Sequence, residues 1–344
     1  MSQSSSKSLM RAEIDETPEA VRRLLAQSGE AIRAAGAALR ELDPPVVATV
    51  ARGSSDHAAT YFKYATEILS GVPVASFGPS VVSIYGAKLK LKGAAALAIS
   101  QSGKSPDIVS LLTAARAGGA KTIALVNAPA SPLEQAADHF VALGAGQEKS
   151  VAATKSFVSS VAAALGILAA WTGDTKLQAA LDRLPDHLDE ALRQDWSEAV
   201  EVAVDARSLY TLGRGVGFAV ANEAALKFKE TSLLHAESYS GAELLHGPVS
   251  LIEGGFPVFA FLPDDAAHTN LVGVAMQLEA KGAKLFVAGR GAPGHRLPTV
   301  ATGHPLTEPL VMLLSFYGFV EEVARARGFD PDVPRGLSKV TETV

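Results

Sequence analysis

Apolar and polar positions follow two periods along this chain. From Thr17 the residues Val21, Leu24, Leu25, Ile32, Leu39 and Leu42 recur at helical spacing. Thr17 suits a cap, Pro18 the first helical position, and Glu16 and Glu19 the positive end of the dipole. Pro44-Pro45 ends this helix, and residues 1–10 before it read as a frayed lead. The period then shortens. Val46 to Ala51 is a β-branched apolar run that ends at Arg52-Gly53-Ser54-Ser55, and a helix is predicted over 56–69. Further strands are predicted over 72–77, 94–99, 122–126 and 140–143, with helices over 106–117 and 154–171. Residues 174–205 read as a charged helical connector, with Asp182, Asp186, Asp189 and Glu190. Alternating strands and helices of this length imply an α/β fold with a parallel sheet covered on both faces.

The second half repeats the first. Leu209 to Gly215 matches Val47 to Gly53, Phe256 to Leu262 matches Ala94 to Ser100, and Gly282 to Val287 matches Gly119 to Ala124. The offsets are 162, 162 and 163 residues, which indicates duplication of one α/β domain. The division is a lead and helix over 1–45, a first domain over 46–173, the connector, a second domain over 206–329 and a tail over 330–344. The tail holds Pro331, Pro334 and Gly336 and no period, so it reads as extended.

At 344 residues, 48% hydrophobic and 19% charged, the chain has ample material for a core and suits about two domains. The net charge of −5 and the lack of a basic block argue against nucleic acid or an anionic membrane as partner. Cysteine is absent, so disulfides, thiolate metal sites and a cysteine nucleophile are excluded. No unbroken apolar run of about 18 residues is present, and the lead lacks a hydrophobic signal core, so the cytoplasm is the default.

Several segments carry candidate chemistry. Ser100-Gln101-Ser102-Gly103-Lys104-Ser105-Pro106 follows an apolar strand and opens a helix, a position suited to a phosphate. Its spacing matches neither common nucleotide-binding motif, and a Ser-rich turn with a cap is the plainer alternative. Ser54-Ser55 stands at the equivalent strand end and could share one ligand, or simply cap a helix. Arg52 and its counterpart Arg214 are open to a structural role. Glu223, Lys227 and Glu230 share one helical face, as proton-moving groups or as an ordinary surface ion pair. His235, Glu237, Glu243 and His246 follow among apolar residues, without metal-ligand spacing. Lys339 is either a solvated tail lysine or, if desolvated, an imine-forming nucleophile. Thr154, in the polar turn Glu148 to Lys155, reads as a cap or a ligand group.

These motifs, in this order over residues 10–344, resemble the sugar isomerase (SIS) family, in particular the isomerase half of glucosamine-6-phosphate synthase. The carrying segments are Ser100 to Gly103, Ala153-Thr154-Lys155, Glu223 to Glu230, His235-Ala236-Glu237, Glu243 to Pro248 and, more weakly, Leu337-Ser338-Lys339. The resemblance implies two duplicated SIS domains and no cofactor or metal. It implies that Ser55, Ser100, Gln101, Ser102 and Ser105 hold the phosphate of a hexose or hexosamine 6-phosphate, with Thr154 and Glu223 in the substrate set. Glu230 would carry the proton between C1 and C2, and His246 would open the ring from the neighbouring subunit of a homodimer. Lys339 would form the imine, and Lys227 would support the charge of the site. Two positions depart from the family pattern: Lys104 replaces an acidic residue and Ala153 a serine. Only about 45 residues precede the first strand and cysteine is absent, so the glutaminase step of the synthase is not expected of this chain. The expected activity is therefore a glucosamine-6-phosphate deaminase that yields fructose 6-phosphate and ammonia. A deglycase or another aminosugar-phosphate isomerase, and a non-catalytic sugar-phosphate sensor, are the alternatives.

Overall fold

Burial of whole strands, rather than of alternate positions, sets the architecture. A computed structural model describes residues 7–339. The chain runs α1 (Leu9–Asp15), α2 (Thr17–Leu42), β1 (Val47–Val50), α3 (Ser54–Ser70), β2 (Val74–Ser76), α4 (Ser80–Ser83), β3 (Ala95–Ser100), α5 (Pro106–Ala117), β4 (Lys121–Val126), α6 (Pro132–Gln135), β5 (His139–Ala142) and α7 (Lys155–Thr172). It continues through α8 (Thr175–Ala191), α9 (Val200–Asp205), β6 (Ser208–Gly213), α10 (Val216–Ser232), β7 (His235–Ser240), α11 (Gly241–Leu244), β8 (Pro257–Leu262), α12 (His268–Ala280), β9 (Lys284–Gly289), β10 (His295–Leu297) and α13 (Glu308–Ala326). Every residue of β1 and β3 is buried, as parallel strands covered on both faces require.

The strands form two five-stranded sheets, ordered β2-β1-β3-β4-β5 and β10-β9-β8-β6-β7, with every pairing parallel. The second order, read backwards, repeats the first, so these are two duplicated domains of one topology. The repeat reaches single dihedral angles. Gly53 caps α3 at φ 56°, ψ −134°, and Gly215 caps α10 at φ 57°, ψ −130°. One apolar cluster joins the halves, and α3 packs on both α7 and α10 within it. By length and hydropathy α7 could cross a membrane, but 89% of it is buried inside the protein, where it packs on α2, α3 and α8.

Two expectations are corrected at the amino-terminal end. Residues 9 and 10 are not frayed: they begin α1, and Met10 and Ile14 are fully buried. Asp332 accepts the backbone N–H groups of Leu9 and Met10, both at 2.7 Å, so the tail holds the start of the chain. Thr17 does not cap α2. Glu16 occupies that position without a side-chain capping bond, and the Thr17 hydroxyl donates back to Glu13 O at 3.2 Å. The predicted end at Pro44-Pro45 agrees with the observed end at Leu42, with Asp43 in the left-handed region (φ 45°).

Candidate active site between the two domains

Two helix starts converge on one cavity. The carboxyl end of β1 leads through Gly53 into α3, and that of β3 leads through residues 101–105 into α5. Gly103 has φ +63°, and a Cβ there would lie 2.4 Å from Ser131 Oγ, so the turn excludes any larger residue. Ser100 Oγ accepts the Gly103 N–H at 2.9 Å and tightens the loop. Ser105 sits at the cap of α5, yet its hydroxyl makes no capping bond, and Gly53 at the cap of α3 has none to offer. Both helix starts thus lack a hydroxyl cap, and both border the cavity.

The cavity, about 320 Å³, is lined by Ser55, Ser100, Gln101, Ser102 and Ser105 together with Arg52, Glu230 and Lys339. The structure thus brings together all five predicted phosphate ligands. Arg52, open to a structural role in the sequence, faces the cavity instead. Buried Asp107 clamps its guanidinium, with contacts of 2.8 and 2.9 Å. Arg214 instead donates to Asn270 at 2.7 Å. Of the two departures, Ala153 lines the cavity, whereas Lys104 is exposed and does not.

The i, i+4, i+7 face of α10 is not a surface ion pair. Lys227 and Glu223 have no exposed side-chain surface and lie 3.1 Å apart. Lys227 Nζ also donates to Glu230 at 2.5 Å and to Ser54 Oγ at 2.9 Å. Burial alone would lower the Lys227 ammonium, but the Glu223 and Glu230 carboxylates outweigh it and hold it well above the ordinary lysine range. Burial would raise Glu223, and Lys227 with His57 holds it below the ordinary carboxylate value instead. Sequence reasoning missed His57 and Tyr317. His57 Nδ1 lies 2.9 Å from one Glu223 oxygen, and the Tyr317 hydroxyl donates to the other at 3.1 Å. These contacts span 166 and 94 residues, and no local spacing signals them. Glu223 and Lys227 therefore stand behind the cavity, and only Glu230 of the three lines it. Glu223, expected in the substrate set, does not itself line the cavity.

Lys339 reaches the same cavity from the tail. Its Nζ donates to Ser150 O at 2.6 Å and lies 3.3 Å from Glu148 Oε2, so it is not a freely solvated tail lysine. Glu148, buried in the loop before α7, also accepts the N–H groups of Thr154 (2.9 Å) and Ser156 (3.2 Å). Thr154 makes no side-chain capping bond and does not line the cavity. Its hydroxyl is fully buried without a hydrogen-bond partner, and Glu148 performs the capping.

His246 does not meet the others within one chain. It is exposed on the segment after α11, followed by Gly247 at φ 145°, and does not line the cavity. His235 and Glu237 lie along edge strand β7, bound to Ser208 (2.8 Å) and Tyr239 (2.7 Å). Among the described residues no group of three His, Asp or Glu side chains converges as a metal site.

The SIS domain profile matches residues 45–169 and 204–288. The glutamine–fructose-6-phosphate aminotransferase (isomerizing) of Methanothermobacter thermautotrophicus is 32% identical over 339 residues, covering 96% of this chain and 56% of that protein. The chain spans about half the length of the curated relatives it matches. A candidate phosphosugar isomerase from Silicibacter pomeroyi superposes with a TM-score of 0.91 at 55% identity, covering 95% of this chain and 100% of that one. The C-terminal domain of the glucosamine-fructose-6-phosphate aminotransferase of Francisella tularensis superposes at 0.83 with 27% identity, over 97% and 100%.

Proposed function

The chain belongs to the SIS domain family, and on that premise we propose that its cavity isomerises and deaminates glucosamine 6-phosphate. The observation that carries this reading is the shared cavity: a carboxylate, Glu230, and an amine, Lys339, face two hydroxyl-rich helix starts. The phosphate docks on the starts of α3 and α5, where Ser55, Ser100, Gln101, Ser102 and Ser105 supply hydrogen bonds. Arg52, fixed by Asp107, adds positive charge beside it.

The open-chain sugar then lies toward Glu230. Its carboxylate takes the proton from C2, and the electron pair forms an enolamine across C1 and C2. Returning the proton to C1 leaves a protonated imine at C2. Water adds at C2 and ammonia departs, or the Lys339 amine first displaces ammonia and water then releases the ketose. Lys227 holds Glu230 in place through the 2.5 Å bond. His246 opens the ring from a second copy of the chain, so the working unit is a two-fold dimer. None of the 344 residues is cysteine, so this chain supplies no thiol to release ammonia from glutamine.

The test is incubation with glucosamine 6-phosphate while ammonia and fructose 6-phosphate are measured together. Equimolar appearance of both is expected. Ketose formation with the amine retained, or turnover only of fructosamine phosphates, would replace deamination by isomerisation or deglycation. Tight binding without turnover of any hexosamine phosphate would favour a sensor.

A further inference from the structure

Outside the groups already assigned, the loop before α7 gathers the most buried charge in the molecule. Glu13 from α1 and Glu148 from the loop are both buried, and both accept backbone N–H groups from the 149–156 segment. Lys155 at the start of α7 is committed elsewhere: it pairs with Glu16 and donates to Gln147 O at 2.8 Å. The cation that meets Glu148 is Lys339, 191 residues away in sequence and seated at the cavity wall. Burial raises the Glu13 carboxyl, with the neighbouring Glu148 charge adding to it, and the Lys149 N–H, Lys155 and Lys339 offset this only in part.

We propose that Glu148 is the positioning residue for Lys339, holding its ammonium at the cavity, accepting its proton when the amine attacks, and remaining as counter-ion to the iminium. The inference rests on the imine role given to Lys339 above. An amine adds to a carbonyl only as the free base, so the ammonium needs a proton acceptor within reach. Glu148 Oε2, at 3.3 Å, is a carboxylate in that position, and Ser150 O fixes the nitrogen from the other side at 2.6 Å. The atoms balance. The ammonium passes one proton to Glu148, and the amine nitrogen bonds to the ketose C2. The nitrogen then gives one proton to the former carbonyl oxygen. Glu148 returns its proton to that oxygen, which leaves as water. The product is a protonated iminium beside a carboxylate, the same charge pair as at the start. The other titratable and charged groups around this pair are Glu13 from α1 and Tyr317 from α13, which feel the Glu148 charge, Lys155 from α7 beside Glu13, and Glu230 from α10 and Arg52, which line the cavity with Lys339.

The experiment traps the iminium. Full-length wild type, Glu148→Gln and Glu148→Asp are incubated with fructose 6-phosphate and borohydride from pH 6 to 9, and the adduct on the Lys339 peptide is quantified by mass. Equilibrium binding of fructose 6-phosphate is measured in parallel. Wild type should form the adduct at a rate that changes less than about threefold over this range, because the acceptor is built in. Glu148→Gln keeps the hydrogen bonds from Thr154 and Ser156 and should bind the sugar within about threefold. Its trapping at pH 7 should fall at least about tenfold and then rise about tenfold per pH unit, since bulk solvent must now free the amine. Glu148→Asp should keep the shallow profile at a lower rate. A glutamine variant that traps at the wild-type rate with the wild-type profile overturns the proposal. So does loss of sugar binding in glutamine together with a steep profile in aspartate, which would make Glu148 a part of the loop's folding only. No adduct in wild type during turnover removes Lys339 itself and the reading beneath this one.

Discussion

Replacing Lys227 by methionine tests the buried charge cluster on which the candidate site stands. Methionine nearly conserves volume and apolar stem, so the change is almost purely one of charge. Lys227 sits 3.1 Å from Glu223 and 2.5 Å from Glu230, with all three carried on α10. Each close pair is worth about 5–7 kcal/mol in gross attraction at an effective dielectric constant near 20, most of it offset by desolvation. Without the lysine, Glu223 remains fully buried with only His57 and Tyr317 as partners. Breaking one side of such a cluster costs about 3–5 kcal/mol. In the wild type Glu223 lies below its ordinary value of 4.5, so its contribution to stability is whole above about pH 4.5. It is lost only as the pH falls through the lowered folded value. Lys227 lies above its ordinary 10.5, so its contribution is whole below that and is lost as the pH rises through the raised folded value. In the variant the buried carboxyl is no longer held down and takes up a proton more readily. The deficit measured by urea unfolding should therefore be largest near pH 7 and narrower at pH 5. Turnover should fall by about 10²-fold or more, because Glu230 loses its anchor. A variant as stable as wild type at pH 7, or one whose deficit widens in acid, would refute the argument that Lys227 offsets buried negative charge.

Two further outcomes follow from the cavity. Ser105→Ala removes a hydroxyl that α5 does not use as a cap, so it should raise KM more than it lowers kcat, by about 1.5–3 kcal/mol in kcat/KM, with little change in thermal midpoint. Steady-state kinetics beside a melting curve separate these, and a lowered midpoint with unchanged KM would make Ser105 a helix-start residue only. Glu230→Gln and His246→Asn should each be nearly inactive, yet purified mixed dimers should recover about half of wild-type turnover, since one of two sites keeps both groups. Mixed dimers as inactive as their parents would place His246 outside the partner's site.

Much of this protein is legible along the chain because its elements are local. The helix over Thr17–Leu42 and the strands β1, β3, β4 and β5 lie where period and β-branching put them, within a residue or two. The offset of 162 residues between halves appears again in paired sheets and in the matching dihedrals of Gly53 and Gly215. The hydroxyl-rich turn at 100–105 and the i, i+4, i+7 face of α10 are also readable, because strand ends and helix faces follow from fixed geometry. What only the tertiary structure decided are the meetings across long sequence separations. Helical spacing places Glu223 and Lys227 on one face but cannot say whether water covers it. Packing of α10 on α3 and α13 buries that face and adds His57 and Tyr317. Thr154 carries the outline of a cap, yet Glu148 caps α7, because a loop carboxylate reaches the orphan N–H groups first. Lys339 has no pattern around it, and its partner Glu148 is set by where the tail crosses the first domain. Asp332 likewise holds the start of α1 from the far end of the chain. Propensity and periodicity act over a few residues, whereas a buried charge takes its partner from whatever the packed fold brings within about 3 Å, and sequence distance does not enter that choice.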